Sequence, residues 1–252
     1  MSELTTNLNN ILDIKGNIKS AIENKGVDMT GVSFPGYASK IGEISGGGGW
    51  DQKSFTEGTI EIINLDNSAS FVASGAFSNN QNIQTVNLPY ATSVGNNAFS
   101  RCSSLRQVNL PVCSYIGSSA FHNCSSLSQI SFPMCNYIDR SAFNNCGSLS
   151  QLILPVCSYI GSNAFYNCSS LSQVSLPVCS YIGGLAFYNC SSLSIITIGY
   201  SGICSLGDAR TFETTQITSS TGSIYVPASL VDAYKSANYW SYFSTQIFPI
   251  SE

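Results

Sequence analysis

One spacing governs this chain: 22 residues. Pro89, Pro111, Pro133, Pro155 and Pro177 keep it, as do Phe77, Phe99, Phe121, Phe143, Phe165 and Phe187. Two cysteine series, Cys102, Cys124, Cys146, Cys168, Cys190 and Cys113, Cys135, Cys157, Cys179, run in step with Leu105, Leu127, Leu149, Leu171 and Leu193. A unit this short cannot bury its own apolar side, so it must stack on copies of itself. Each copy reads L-x-x-[VIL]-x-[LF]-P-x-C-x-Y-I-x-x-x-A-F-x-x-C-x-S. Leu105, Val108 and Leu110 predict a short strand with one buried face. Proline then ends the strand, having no N–H for a continuing ladder. Tyr115 and Ile116 lead into a turn at Gly117. "SSAFHNC" predicts a short helical or 3-10 return that buries Ala120 and Phe121. Stacking would set the parallel strands about 4.8 Å apart.

The cysteines invite a disulfide or metal reading that their spacing does not support. Metal ligands usually pair two to four residues apart, whereas these alternate at 11 within the array. A disulfide along one series would need Cβ atoms closer than the coil spacing gives without strain. The series read instead as small buried hydrophobes with a weak S–H donor. At the Cys113 slot that donor can serve carbonyls left over where the strand ends. Ala91 and Asn80 fill the two cysteine slots of the first copy, so the thiol is replaceable. "NCS" at Asn123, Asn167 and Asn189 matches a glycosylation sequon but reads as a by-product of the repeat.

Leu105, Val108, Leu110 and Cys113 resemble the marked slots of the leucine-rich repeat pattern L-x-x-L-x-L-x-x-N/C-x-L. The "P…IG..AF..C.SL" portion is similar to the BspA-like bacterial leucine-rich repeats over about Phe71 to Ile198. The tail "IYVPASLVDAYKSANYW", Ile224 to Trp240, resembles the segment that closes such arrays. The resemblance implies a leucine-rich repeat solenoid of short parallel strands with short helical or 3-10 returns, capped at both ends.

The ends break the pattern as caps must. "GTIEIINLD" alternates like a capping strand, and Phe212 follows Phe187 by 25 residues. "SLVDAYKSANYWSYF" predicts an amphipathic helix with Leu230, Tyr234 and Trp240 inward and Asp232 near its start, favourable to the helix dipole. Residues 1–45 belong to something else. Ile11, Ile14, Ile18 and Ala21 follow an a–d–a–d pattern, and isoleucine at both positions favours more than two helices, a trimer among them. A second helix is predicted over 35–44. The segment resembles the N-terminal segments of tail and tail-fibre proteins from phages of gut bacteria. The organisation read from sequence is therefore a helical attachment or self-association module at 1–45, a glycine linker at 46–49, an N-terminal cap at 50–76, repeats at 77–222 and a C-terminal cap at 223–252.

The charge balance excludes some partners. Only 10% of residues are charged and the net charge is −4. Nucleic acid wants a basic stripe and an anionic membrane wants basic clusters. No apolar run approaches the roughly 18 residues of a membrane span. "MSELTTNLNN" has neither the basic nor the apolar region of a secretory signal. The single histidine, His122, occupies a slot that other copies fill with Ser100, Asn144, Tyr166 and Tyr188, and reads as an exposed variable position. No triad, phosphate loop or repeated carboxylate pair is present, so no enzyme site, metal or cofactor is expected. What remains is a surface. Gln107, Gln129, Gln151 and Gln173 form one outward column, and Tyr115, Tyr137, Tyr159 and Tyr181 an aromatic column at the edge. They could stack on themselves, or offer a host-cell protein or surface glycan a polar, aromatic-edged face. The expected roles are a tail-associated host-binding protein of a virion, a bacterial cell-surface or secreted adhesin, or a structural spacer.

Overall fold

The 22-residue unit does stack. The computed structural model describes residues 70–199, 201–219 and 221–250, and the backbone of 62–64. Successive copies wind into a parallel β-solenoid of about eight turns. Pairing keeps the repeat in register: Gln107 lies between Thr85 and Gln129, and Val108 between Val86 and Ile130.

Each turn has three sides. The first carries Ile62–Asn64, Thr85–Asn87, Gln107–Asn109 and Gln129–Ser131 in one sheet. It continues as Gln151–Ile153, Gln173–Leu176, Ile195–Ile198, Ser223–Val226 and Ile247–Pro249 in another. The capping strand expected from "GTIEIINLD" is the first of these, paired with Thr85–Asn87. After the proline corner, the second side is a seven-stranded sheet of two-residue strands: Phe71–Val72, Ser93–Val94, Tyr115–Ile116, Tyr137–Ile138, Tyr159–Ile160, Tyr181–Ile182 and Ser205–Leu206. Tyr–Ile is therefore a strand and not merely the approach to a turn.

The third side departs from the expected helical return. It is a run of i→i+3 turns, such as Ser100 N–H to Asn97 C=O and Cys102 N–H to Phe99 C=O. Two left-handed residues per turn stop these from winding into a helix: Asn97 and Arg101, Ser119 and Asn123, Ser141 and Asn145, Asn163 and Asn167, Leu185 and Asn189. The reversal turns alternate N–H groups outward along the axis. Asn97, Phe99 and Arg101 thus donate to Ser118, Ala120 and His122 of the next coil. Asparagine tolerates this conformation best among residues with a Cβ.

Inside, side chains form files. Phe77, Phe99, Phe121, Phe143, Phe165 and Phe187 stack at 5.1, 5.3, 5.1, 5.2 and 5.4 Å. Phe212 continues the file at 5.7 Å despite its longer sequence step. The expected C-terminal helix is shorter than its pattern. Only Val231–Ser236 is α-helical; Ala237 is extended and Tyr239 left-handed, and a 3-10 segment follows over Trp240–Gln246. The break lets the buried Trp240 indole donate to the Cys204 carbonyl while the Cys204 N–H donates to the Tyr234 hydroxyl. Tyr234 and Trp240 are buried and Leu230 packs against the core, as the amphipathic pattern requires.

One coil is irregular. Phe132 stands where its neighbours have Leu110 and Leu154, with its ring 6.2 Å from Phe121 and 5.7 Å from Phe143. A larger side chain in a packed file displaces backbone. The first side is interrupted here, between Gln129–Ser131 and Gln151–Ile153. The second side stays paired across the same two coils. The predicted helical module, with Ile11, Ile14, Ile18 and Ala21, and the linker at 46–49 lie outside the described residues.

Candidate functional site

Several polar files of the solenoid find their partners within the array. Asn145 donates its Nδ2 to Asn123 Oδ1 at 2.8 Å, Asn167 to Asn145 at 2.8 Å and Asn189 to Asn167 at 2.6 Å. This ladder, on residues already left-handed, went unread in the sequence although the asparagines recur at 22. It also occupies the side-chain nitrogens of Asn167 and Asn189, two of the three sequon asparagines.

The thiols are occupied as well. All ten cysteines are free and buried. Cys102, Cys124, Cys146, Cys168 and Cys190 donate to the Phe carbonyls of the preceding coil, Phe77 to Phe165, at 3.1–3.2 Å. Cys113, Cys135, Cys157 and Cys179 reach the Tyr carbonyl two residues on at 3.2–3.5 Å. These acceptors lie in the second strand, not among unpaired loop carbonyls at the end of the first, where the sequence reading of the Cys113 slot places them. Burial pushes the Cys113 thiol up to about 11 and those of Cys102, Cys157 and Cys190 to about 12. Nucleophilic chemistry needs the thiolate, which burial disfavours.

The tyrosine column stacks on itself. Tyr115, Tyr137, Tyr159 and Tyr181 have ring centroids 5.4, 4.4 and 5.0 Å apart. The rings cover one another's faces and leave edges and hydroxyls to solvent. Tyr115 donates to Asp139 Oδ2 at 3.0 Å; burial, then Asp139, raises its pKa.

The glutamine column behaves differently. Gln107, Gln129, Gln151 and Gln173 are exposed and aligned in register, yet no side-chain amide among them has a partner among the described residues. The structure also separates the two predicted columns. Glutamines lie on the first side and tyrosines on the second, with the proline corner between. On that corner runs a row the sequence reading missed: Tyr90, Val112, Met134, Val156, Val178 and Ile203, from 37% exposed at Val156 to 56% at Met134. Its signal was an apolar residue after each proline from Pro89 to Pro177, outside the strand's inward set; Ile203 follows Gly202 instead.

His122 is half-buried, not the exposed variable position expected, because the third side folds its slot against the next coil. Its Nδ1 is buried without a hydrogen-bond partner. Burial, then the Arg101 charge, lowers its pKa. Among the described residues no group of His, Cys, Asp and Glu could hold a metal ion, and no helix is long and apolar enough to cross a membrane.

Solved structures share this architecture. A leucine-rich repeat protein from Bacteroides ovatus aligns at 24% identity and a TM-score of 0.61, over 76% of this chain and 48% of its own. One from Eubacterium ventriosum aligns at 22% and 0.51, over 62% and 43%. This chain thus spans just under half the length of each of these two structures. Among curated proteins no relative matches. The sequence matches the BspA type leucine rich repeat region in six copies, over residues 50–156 and 136–237. With most of its length in that match and the coil geometry to go with it, the chain belongs to the BspA-type leucine-rich repeat family.

Proposed function

We propose that this chain is a non-enzymatic recognition protein of a bacterial cell surface, an adhesin that presents the first side of its solenoid and the adjoining corner to a ligand. One observation carries the reading. The glutamine file stands open in register while the asparagine, cysteine and tyrosine files satisfy themselves. Side chains that bond one another hold coils together; primary amides left open offer a ligand a periodic set of donors and acceptors. Family membership supports a binding role rather than catalysis. The test is surface plasmon resonance against panels of extracellular-matrix proteins and glycans, with a variant carrying alanine at all four glutamines. Binding that survives in that variant would move the site off this face.

The likeness of residues 1–45 to phage tail segments favours a second reading, in which the same face serves a virion's tail and Ile11, Ile14, Ile18 and Ala21 drive self-association, as a trimer. Deleting residues 1–45 should then leave the solenoid folded and reduce the mass seen by light scattering to that of a monomer. An unchanged mass would remove the assembly role. A stable oligomer that binds nothing in either panel would make the solenoid a spacer.

A further inference from the structure

The break in the first side gives the open face a centre. At its other steps the backbone bonds coil to coil: Ser128 N–H donates to Arg106 C=O, Ser172 to Ser150, Leu110 to Ser131 and Leu154 to Ser175. The corresponding bonds from Ser150 to Ser128 and from Phe132 to Ile153 are not formed among the described residues. Two N–H groups and two carbonyls are therefore left between Gln129–Ser131 and Gln151–Ile153. Gln129 and Gln151 flank this seam with unpartnered amides, and Ile153, 68% exposed, and Met134 border it toward the corner.

The chemistry of the surroundings selects a partner. No ionisable side chain occurs in 107–112, 129–134, 151–156 or 173–178, which supply the face and its corner; Arg106 only borders it. A charged ligand would lose its water there without gaining a counter-charge. Around the seam a protein partner would find none of the Trp and Arg anchors that dominate protein hot spots; Tyr115, Tyr137, Tyr159 and Tyr181 are stacked on the next side, and the corner's Tyr90 lies two coils before Met134. An inserted strand would need twice the inter-coil spacing, while paired Tyr137–Ile138 and Tyr159–Ile160 hold these coils at one. Hydroxyl groups suit what is offered: amides and backbone groups that both donate and accept, beside a shallow aliphatic row for C–H faces.

Resting on the recognition reading above, we propose that the ligand is an uncharged polysaccharide lying along the solenoid axis, centred on the seam between Gln129 and Gln151. The probe is a glycan array carrying neutral glucans, mannans and galactans beside hyaluronan and heparin, run in parallel with a matrix-protein array. Binding to a neutral chain should hold between about 0.05 and 0.5 M salt, since no ion pairs contribute. It should weaken about tenfold in Gln129→Ala/Gln151→Ala, with circular dichroism melts unchanged, and much less in Gln107→Ala. Binding to only the anionic glycans, or to a protein through the glutamine file, would overturn this inference and leave the recognition reading standing. Loss in Gln107→Ala equal to that in the seam pair would remove the seam as centre. No binding on either array would overturn both.

Discussion

Replacing Phe143 by alanine tests whether the coils are one another's interior. Its ring is wholly buried between Phe121 at 5.1 Å and Phe165 at 5.2 Å, with Phe132 at 5.7 Å. An aromatic side chain buries on the order of 150–250 Å², worth about 4–6 kcal/mol at 25 cal/mol per Å². Alanine keeps part of that burial and the coils on either side cannot close the gap, so the loss should be about 3–5 kcal/mol. Phe77 supplies the internal control. It is half-buried and stacks only on Phe99, at 5.1 Å, among the described rings. Phe77→Ala should cost about half as much. Urea denaturation followed by far-ultraviolet circular dichroism gives both values, and an unchanged m-value would show that the same surface is exposed on unfolding. A loss under about 1 kcal/mol at Phe143, or equal losses at the two positions, would refute a continuous core built by stacking.

Three further outcomes are expected. Native protein should resist alkylation of its cysteines, and all ten should react in denaturant; rapid native labelling would contradict their burial. Because burial raises the folded pKa values of Cys102, Cys113, Cys157 and Cys190, their contribution to stability is complete below the unfolded value of about 8.5 and is lost as pH climbs toward 11–12; Cys113→Ala, the residue native at Ala91 in that slot, should flatten part of the alkaline fall in Tm. Asn145→Ala breaks two ladder bonds and places alanine at φ 62°, costing about 1–3 kcal/mol, and Asn145→Gly should recover the backbone share; equal melts for the two variants would sink the left-handed argument. The His122 pKa is lowered, so the unfolded chain binds the proton more readily and stability should fall as pH drops through about 6.5; His122→Asn should remove that acid-side slope, and an unaltered slope would place it elsewhere.

What could be read from sequence was whatever the interior demands at every step. The Phe, Leu, Pro and Cys series repeat because each coil buries the same slots, and capping shows itself where Phe212 and the tail leave phase. The second strand side escaped because two residues, Tyr115 and Ile116, carry no alternation to recognise. The third side was misread because Ala120, Phe121 and Cys124 have the spacing of a 3-10 segment, and only backbone dihedrals at Ser119 and Asn123 reveal turns of alternating hand. The C-terminal helix stops early at the extended Ala237 and left-handed Tyr239, and beyond that break Trp240 bonds Cys204, a tertiary contact that the helical period does not announce. The glutamine and tyrosine columns were visible as outward-facing residues, but which of them is self-satisfied depends on ring spacing and side-chain bonds. The corner row was missed because apolar residues beside a proline suggest burial, while the chain's change of direction there turns them to water.

The in-phase files carry an evolutionary implication. A mutation that adds or removes one whole unit from the gene, as unequal crossing-over between near-identical segments does, leaves every inward neighbour and every aligned amide as before and changes only the length of the rod. Such a protein can be tuned in reach by copying, without relearning how to fold, whereas a shift of a single residue would throw proline, phenylalanine and both thiol series out of line at once.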